Sequence, residues 1–211
     1  MKTNVYVDGF NLYYRAVKGT PYKWLDISKV CQELLPSHTI NRIRYFTANA
    51  QPLPNDPNVP VRQQVFIRAL ETIPNLTVHR GQFKRRWRTL PLRHPVPGLP
   101  HYVEVEYFEE KGSDVNLATY LLADGFNKDY EQALVISNDS DLALAITMVR
   151  GTLKFPIGVV NPNADPKQFT PAELTQAATF TRRLRPSTLQ RCQFPPTLTD
   201  TKGMFSKPPS W

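Results

Sequence analysis

The stretch QALVISNDSDLALAITMVRGTLKFPIGVV, Gln132–Val160, decides the fold. Gln132 to Ile136 is a short apolar run that breaks at the polar turn Ser137-Asn138-Asp139. Ser140 to Arg150 then carries its apolar residues at helical spacing, and Phe155 to Val160 is a second apolar run. A strand, a helix and a strand in that order form a parallel pair with a right-handed crossover. The same alternation extends upstream. Thr3 to Val7 is a strand ahead of the turn Asp8-Gly9, and Asp26 to Leu35 is a helix stopped by Pro36. Ile40 to Thr47 alternates as a strand, and past the polar loop Gln51 to Asn58 a helix runs from Val61 to Ile73, ended by Pro74. Leu76 to Phe83 is the next strand. Tyr102 to Phe108 alternates as a returning strand, with a Pro-rich tip at His94 to His101 between them. Ser113 to Phe126 is a helix with Val115, Ala118, Leu121 and Leu122 on one face. This order predicts an α/β protein with one mostly parallel sheet covered on both faces; after Ala178 the chain is a Pro-punctuated arm with no clear period.

Composition narrows the function. At 211 residues, 41% hydrophobic and 21% charged, the chain suits one core and is neither disordered, a coiled coil nor collagen-like. Cys31 and Cys192 are too few for a disulfide framework or a zinc site and read as reduced thiols. The apolar runs fall far short of the roughly 20 residues of a membrane span. The N-terminus has no signal-peptide core, so a cytoplasmic location without a membrane partner is expected. The absence of G-x-x-x-x-G-K-[ST] and G-x-G-x-x-G argues against a nucleotide cofactor. His38, His79, His94 and His101 show no metal-ligand spacing.

The net charge of +8 is uneven. His79 to His94 holds Arg80, Lys84, Arg85, Arg86, Arg88 and Arg93 and no acid, for +6, and Leu174 to Trp211 holds +5, which leaves −3 on the rest. A mildly acidic body with two basic arms suits a polyanion. In the first arm Phe83, Trp87 and Tyr102 interleave with Lys84, Arg85, Arg86 and Arg88, the cationic and aromatic mixture that holds single-stranded nucleic acid, and RNA is the expected partner. The alternative is a solvated hairpin whose arginines pair with Glu104 and Glu106. The tail arginines Arg182, Arg183 and Arg185 read equally as a helix end.

Asp8 closes the first strand, Asp139 and Asp141 follow the strand Gln132–Ile136, and Asp114 opens the helix after the arm. Parallel sheets gather ligands beyond the carboxyl ends of their strands, where all four acids can meet. Converging carboxylates favour a shared hard cation, Mg²⁺ or Mn²⁺, able to acidify water and neutralise a phosphate. Taken singly, Asp114, Asp139 and Asp141 read as helix caps and Asp8-Gly9 as a turn, but capping does not account for the acid at the end of the first strand. Asn11 suits either a phosphate or metal-bound water contact or a cap. Lys111 suits a scissile phosphate or a solvated loop.

VYVDGFNLYY (Val5 to Tyr14), EEKGSDVNLATYLLADGF (Glu109 to Phe126) and ALVISNDSDLALAI (Ala133 to Ile146) resemble the three signature segments of the NYN domain, LabA type, in the PIN-like nuclease superfamily. One departure is Asn138, where many relatives carry Gly. The tail resembles the C-terminal extension of one bacterial subfamily. The resemblance implies a PIN-like three-layer α/β/α sandwich over residues 1–177 with a basic insertion at 83–107, and an extension, 178–211, packing on it. It further implies a metal-dependent ribonuclease site with Asp8, Asp114, Asp139 and Asp141 as the catalytic, metal-binding acids and Asn11 beside them. The rival readings are a catalytically silent RNA-binding module and a protein-interaction scaffold. A homo-oligomer is compatible with each.

Overall fold

The protein is described by a computed structural model covering residues 1–98, 100–163, 165 and 167–211. Strand β1 (Lys2–Asp8) lies at the middle of a seven-stranded sheet. On one side it pairs in parallel with β2 (Thr39–Ala48), which pairs in parallel with β3 (Leu76–Pro91). On the other side it pairs in parallel with β5 (Gln132–Ile136), followed by β6 (Ile157–Asn161) and β7 (Phe180–Arg183). Only β4 (Tyr102–Lys111), at the edge beside β3, runs antiparallel. The order β4-β3-β2-β1-β5-β6-β7 reverses between β1 and β5, which opens a crevice at their carboxyl ends.

The central strands are buried on both faces: β5 and β6 are near-continuous apolar runs, and β1 carries Val5, Tyr6 and Val7. Val5 and Val7 enter one core with Ile27, Val30 and Leu34 of helix α2 (Ile27–Leu34) and Leu70 of α3 (Val59–Leu70). Tyr6 points the other way, into a core with Leu117 and Leu121 of α4 (Ser113–Phe126), Val149 of α5 (Ala143–Gly151) and Leu174 of α6 (Ala172–Ala177). This is the expected three-layer α/β/α sandwich. Helix bounds shift by local chemistry: Asp26 caps α2, accepting from the Lys29 N–H at 3.2 Å, and α3 starts before Pro60, which suits a first turn lacking a donor need.

Two departures from the sequence reading matter. Strand β3 runs on to Pro91 and β4 to Lys111, forming a two-stranded ribbon with rungs from Gln82↔Lys111 to Pro91↔Tyr102; within its tip, His94–His101, Leu99 lies outside the described residues. And the segment past Ala178 contributes β7, a polar four-residue edge strand whose brevity hides its period. The tail continues through α7 (Pro186–Arg191) to a hairpin of β8 (Thr197–Asp200) and β9 (Gly203–Ser206). Its basic residues fasten it to the body: Arg191 pairs with Glu33 at 2.5 Å, Arg182 donates to the Leu34 carbonyl, and Arg183 donates to the Gln168 carbonyl at 3.0 Å. Leu189 and Phe194 join the α2-side core, and the Trp24 indole donates to the Pro195 carbonyl at 2.8 Å. Cys31 and Cys192 are buried and unbridged.

Helix α4 is fixed by a buried polar triad. Arg44 on β2 forks onto Asp124 with both contacts at 2.7 Å, and the Tyr6 hydroxyl donates to the same carboxylate at 2.7 Å. The guanidinium also lies 4.3 Å from the Tyr120 ring. Because α4 begins beside the crevice, this anchor sets where its first turn points.

Candidate active site

Asp8 ends β1, next to the switch point, and is only 4% exposed. Its two carboxylate oxygens are each held: one accepts from the Asn11 N–H at 2.9 Å, capping the short helix α1 (Gly9–Leu12), and the other from the Ser137 hydroxyl at 2.8 Å. Burial pushes its pKa up, the two hydrogen bonds pull it back, and the Asp139 charge adds to the rise. Gly9 is required here, since a Cβ would stand 2.6 Å from the Phe46 carbonyl oxygen. The loop after β5 is laced to the same point: the Asp139 N–H donates to Ser137 Oγ at 3.1 Å, and the Asn138 N–H donates to the Asn11 side-chain oxygen at 3.2 Å. Asn11 thus ties the loop after β1 to the loop after β5. Asp139 does cap, accepting from the Asp141 N–H at 3.0 Å over the 3₁₀ turn Ser140–Leu142, and it lines the crevice as well.

The third wall comes from the root of the ribbon. Gly112, at φ 105°, turns β4 into α4, a left-handed conformation that favours glycine, and Asp114 falls in the first turn of that helix. Glu110 accepts from the Ser113 N–H at 3.1 Å and from its hydroxyl at 2.8 Å, bracing the same turn. Asp8, Asp114, Asp139 and Glu110 line a cleft of about 310 Å³ with Asn11, Phe10, Tyr14, Phe83 and Phe108. Asp141 is exposed and outside that lining, but near enough that its charge acts on Asp114. Burial first, then the charges of Asp8, Asp139, Glu110 and Asp141, push the Asp114 pKa up to about 6. Glu110 escaped the sequence reading; the available signal was its place three residues before the helix-opening Ser113.

The remaining residues singled out from sequence lie along the ribbon. Lys111 pairs with Glu109 at 2.7 Å and is absent from the cleft lining. Arg85 pairs with Glu106, and Arg86 with Glu109 at 3.6 Å, whereas Lys84 and Arg88 make no ion pair among the described residues. From Gln82 to Lys111 six basic residues face four glutamates, a net +2 in place of the +6 of the linear segment. The expected arginine-to-glutamate pairing therefore forms at Glu106, with Glu109 in place of Glu104. Register also sorts the two faces: Phe83, Trp87, Phe108 and Tyr102 share one face, and Lys84, Arg86 and Arg88 the other. The aromatic face is continuous with the cleft through Phe83 and Phe108, and the Phe83 ring meets Phe10 at 5.8 Å.

Among the described residues no group of three or more His, Cys, Asp or Glu side chains is placed as a ready metal-ligand set. Of the four expected aspartates, Asp8, Asp114 and Asp139 line the cleft together with Glu110, and Asp141 is exposed outside its lining. The donor set still fits a hard divalent cation: all donors are oxygen, Mg²⁺ needs only one or two carboxylates beside its waters, and the acidic neighbours that add to the burial of Asp114 in raising it are charges a cation offsets. The repulsion has a measurable consequence. A carboxyl whose folded pKa lies above its ordinary value stabilises fully below that ordinary value, and the contribution is lost as pH rises through about 6. Asp114→Asn is therefore expected, in EDTA, to raise the melting temperature at pH 7.5 and by much less at pH 4, near the ordinary carboxylate value. Discounted for solvent screening and for the favourable α4 dipole, the gain is about 1 kcal/mol, or roughly 2–4 °C. Differential scanning fluorimetry at the two pH values reads it, and an equal shift at both refutes the mutual repulsion.

A mostly parallel sheet reversing beside an acidic crevice is consistent with the PIN-like class of α/β folds. The NYN domain family model matches residues 2–184, and the chain belongs to that family. It is also 28% identical over 236 aligned positions to 6-hydroxy-3-succinoylpyridine 3-monooxygenase HspA of Pseudomonas putida, spanning all of this chain and 75% of that protein. The crystal structure of a protein of unknown function from Vibrio parahaemolyticus superposes with a TM-score of 0.55 at 15% identity, over 97% of this chain and 96% of that one, which speaks for the fold alone. Among the described residues no helix is long and apolar enough to cross a membrane.

Proposed function

We propose that this protein is a metal-dependent ribonuclease of the LabA type of NYN domain, hydrolysing RNA phosphodiesters in the Asp8–Asp114–Asp139 cleft with Mg²⁺ or Mn²⁺. The observation that carries the reading is the convergence of Asp8, Asp114, Asp139 and Glu110 on one cleft at the sheet edge where such folds bind ligands, with Asp114 raised first by burial and then by its acidic neighbours. A divalent cation bound there supplies acidified water and neutralises phosphate charge. Asp8 and Asp139 hold the principal cation, and Asp114 and Asp141 complete the site or order its waters. Asn11 and Ser137 keep the Asp8 carboxylate in one orientation, leaving its other lone pairs free. Phe10, Phe83 and Phe108 offer ring faces to bases flanking the scissile bond. End-labelled RNA and DNA incubated with Mg²⁺, Mn²⁺ or EDTA test the reading. Salt-sensitive RNA binding without cleavage points to a silent binding module, and no RNA binding to a scaffold.

The ribbon offers a single strand stacking rings on the face that leads to the cleft and positive charge from Lys84 and Arg88 on the opposite face. Lys84 and Arg88 make no ion pair among the described residues and remain available to phosphates, so changing both to Ala is expected to lower the slope of log affinity against log salt by about 1.4. Changing Arg85 and Arg86 lowers it less, because Glu106 and Glu109 already neutralise them. Trp87→Ala, which removes an exposed stacking face, costs roughly 1–3 kcal/mol of affinity with little change in slope. Fluorescence anisotropy with a short RNA at several salt concentrations measures both, and equal slopes for the two pairs reject the assignment.

A second reading rests on the 28% identity that runs along the whole chain to the monooxygenase. In it the protein oxygenates a small hydroxylated pyridine. Oxygen uptake dependent on 6-hydroxy-3-succinoylpyridine and a two-electron reductant, with RNA left intact, supports that reading over hydrolysis.

A further inference from the structure

A cavity of about 670 Å³ shares Phe10 and Tyr14 with the acidic cleft and extends away from it between the start of α1, the end of β2 and α3. This is within the range of clefts that enclose small organic ligands, roughly 300–1,000 Å³. One wall is a chain of rings: Tyr45 lies 6.3 Å from Phe66, and Phe66 lies 5.8 Å from Trp211. The facing wall carries Tyr13 and Tyr14, edge-on at 5.2 Å, from the π-helical turn Tyr13–Val17. Such turns are rare and recur at functional sites.

The polar groups narrow the ligand further. Gln63 is committed to structure, accepting from the Ala50 N–H at 2.7 Å and donating to the Ala48 carbonyl at 2.9 Å, which holds the loop over the cavity. Arg62 is matched by Asp56. Lys18 and Lys23 also line the cavity, and neither makes an ion pair among the described residues. The cavity's uncompensated charge is therefore positive, and Lys18 already sits 4.8 Å from the Tyr14 ring, where a charged group meets a stacked one.

We propose that this cavity binds a planar aromatic ring bearing an anionic group, the ring held among Tyr14, Tyr45, Phe66 and Trp211 and the anion by Lys18 and Lys23. A nucleoside monophosphate and a free heteroaromatic carboxylate share that chemistry. The inference stands apart from phosphodiester hydrolysis, since none of the aspartates lining the acidic cleft lines this cavity.

Isothermal titration calorimetry of the full chain in EDTA, with uridine 5′-monophosphate and nicotinate as separate ligands, tests it. Saturable one-to-one binding of at least one ligand is expected, weakened tenfold or more by Lys18→Glu with Lys23→Glu. Leu53→Trp, at a lining position that is 51% exposed, is expected to block binding by filling the mouth. All three substitutions sit outside the cores, and a melting curve confirms folding. Binding of the nucleotide alone identifies a nucleotide site, and of nicotinate alone a site for free aromatic acids. No heat with either ligand, or affinities unmoved by both variants, overturns the proposal. Asp8→Asn is expected to leave this binding intact, so its outcome is independent of the cleavage assay.

Discussion

Asp8→Asn is expected to lower divalent-dependent RNA cleavage by at least ~100-fold, since losing even an outer partner of a metal ligand costs about 10–100-fold. The fold is expected to survive. The amide keeps the acceptor that caps α1 toward the Asn11 N–H, and its NH₂ faces the Ser137 hydroxyl, which can turn to accept. The substitution also removes a charge that burial disfavours and that adds to the rise of Asp114. Activity and stability should thus separate: cleavage collapses while the melting temperature in EDTA holds or rises. Cleavage assays on parent and variant protein purified side by side, with EDTA controls, give the first quantity, and thermal melts give the second. Equal cutting by the two assigns the activity to a contaminant and removes the case for hydrolysis in this cleft. A collapse of both cleavage and melting temperature assigns Asp8 to the fold instead.

What could be read from sequence follows from which interactions are local. β5 announces itself as a near-continuous apolar run and β1 by its core Val5, Tyr6 and Val7, and the break at the end of each brings Asp8 and the Asp139 turn to the point where ligands gather. The charge of the ribbon is another matter. Whether Arg85 is free or paired depends on which residue lies across the ladder, and a slip of one residue would send the glutamates to the opposite face. That register comes from strands joined through a long tip, not from local pattern. Glu110 was missed for the same reason: it enters the cleft because it pairs across from Phe83. β7 was hidden by its brevity and two arginines, its place being set by the edge that β6 leaves open. The Arg44–Asp124 pair is equally illegible, since 80 residues separate its partners and Asp124 looks like one more polar residue near a helix end.

That pair supports the other large effect. Asp124→Ala is expected to destabilise the protein by about 3–5 kcal/mol, because it strands a guanidinium that has been taken out of water. Arg44 is 9% exposed and Asp124 6%, so neither is rescued by solvent. The loss spreads beyond one contact: the Tyr6 hydroxyl loses its acceptor, and His79, held below its ordinary pKa by burial and by Arg44, offers Arg44 only the neutral ring 3.1 Å away. Replacing both charged partners with apolar residues of similar size, Arg44→Met with Asp124→Leu, is expected to recover most of the loss, since a buried ion pair is worth little against good packing. Urea unfolding of the parent, both single variants and the double variant yields the coupling energy directly. A single-variant loss under about 1 kcal/mol would show that water reaches the pair. The same series bears on function, because α4 carries Asp114 from its first turn and Asp124 from its last. If the triad aims the helix, the folded double variant should bind divalent cation more weakly than the parent even though its stability is restored.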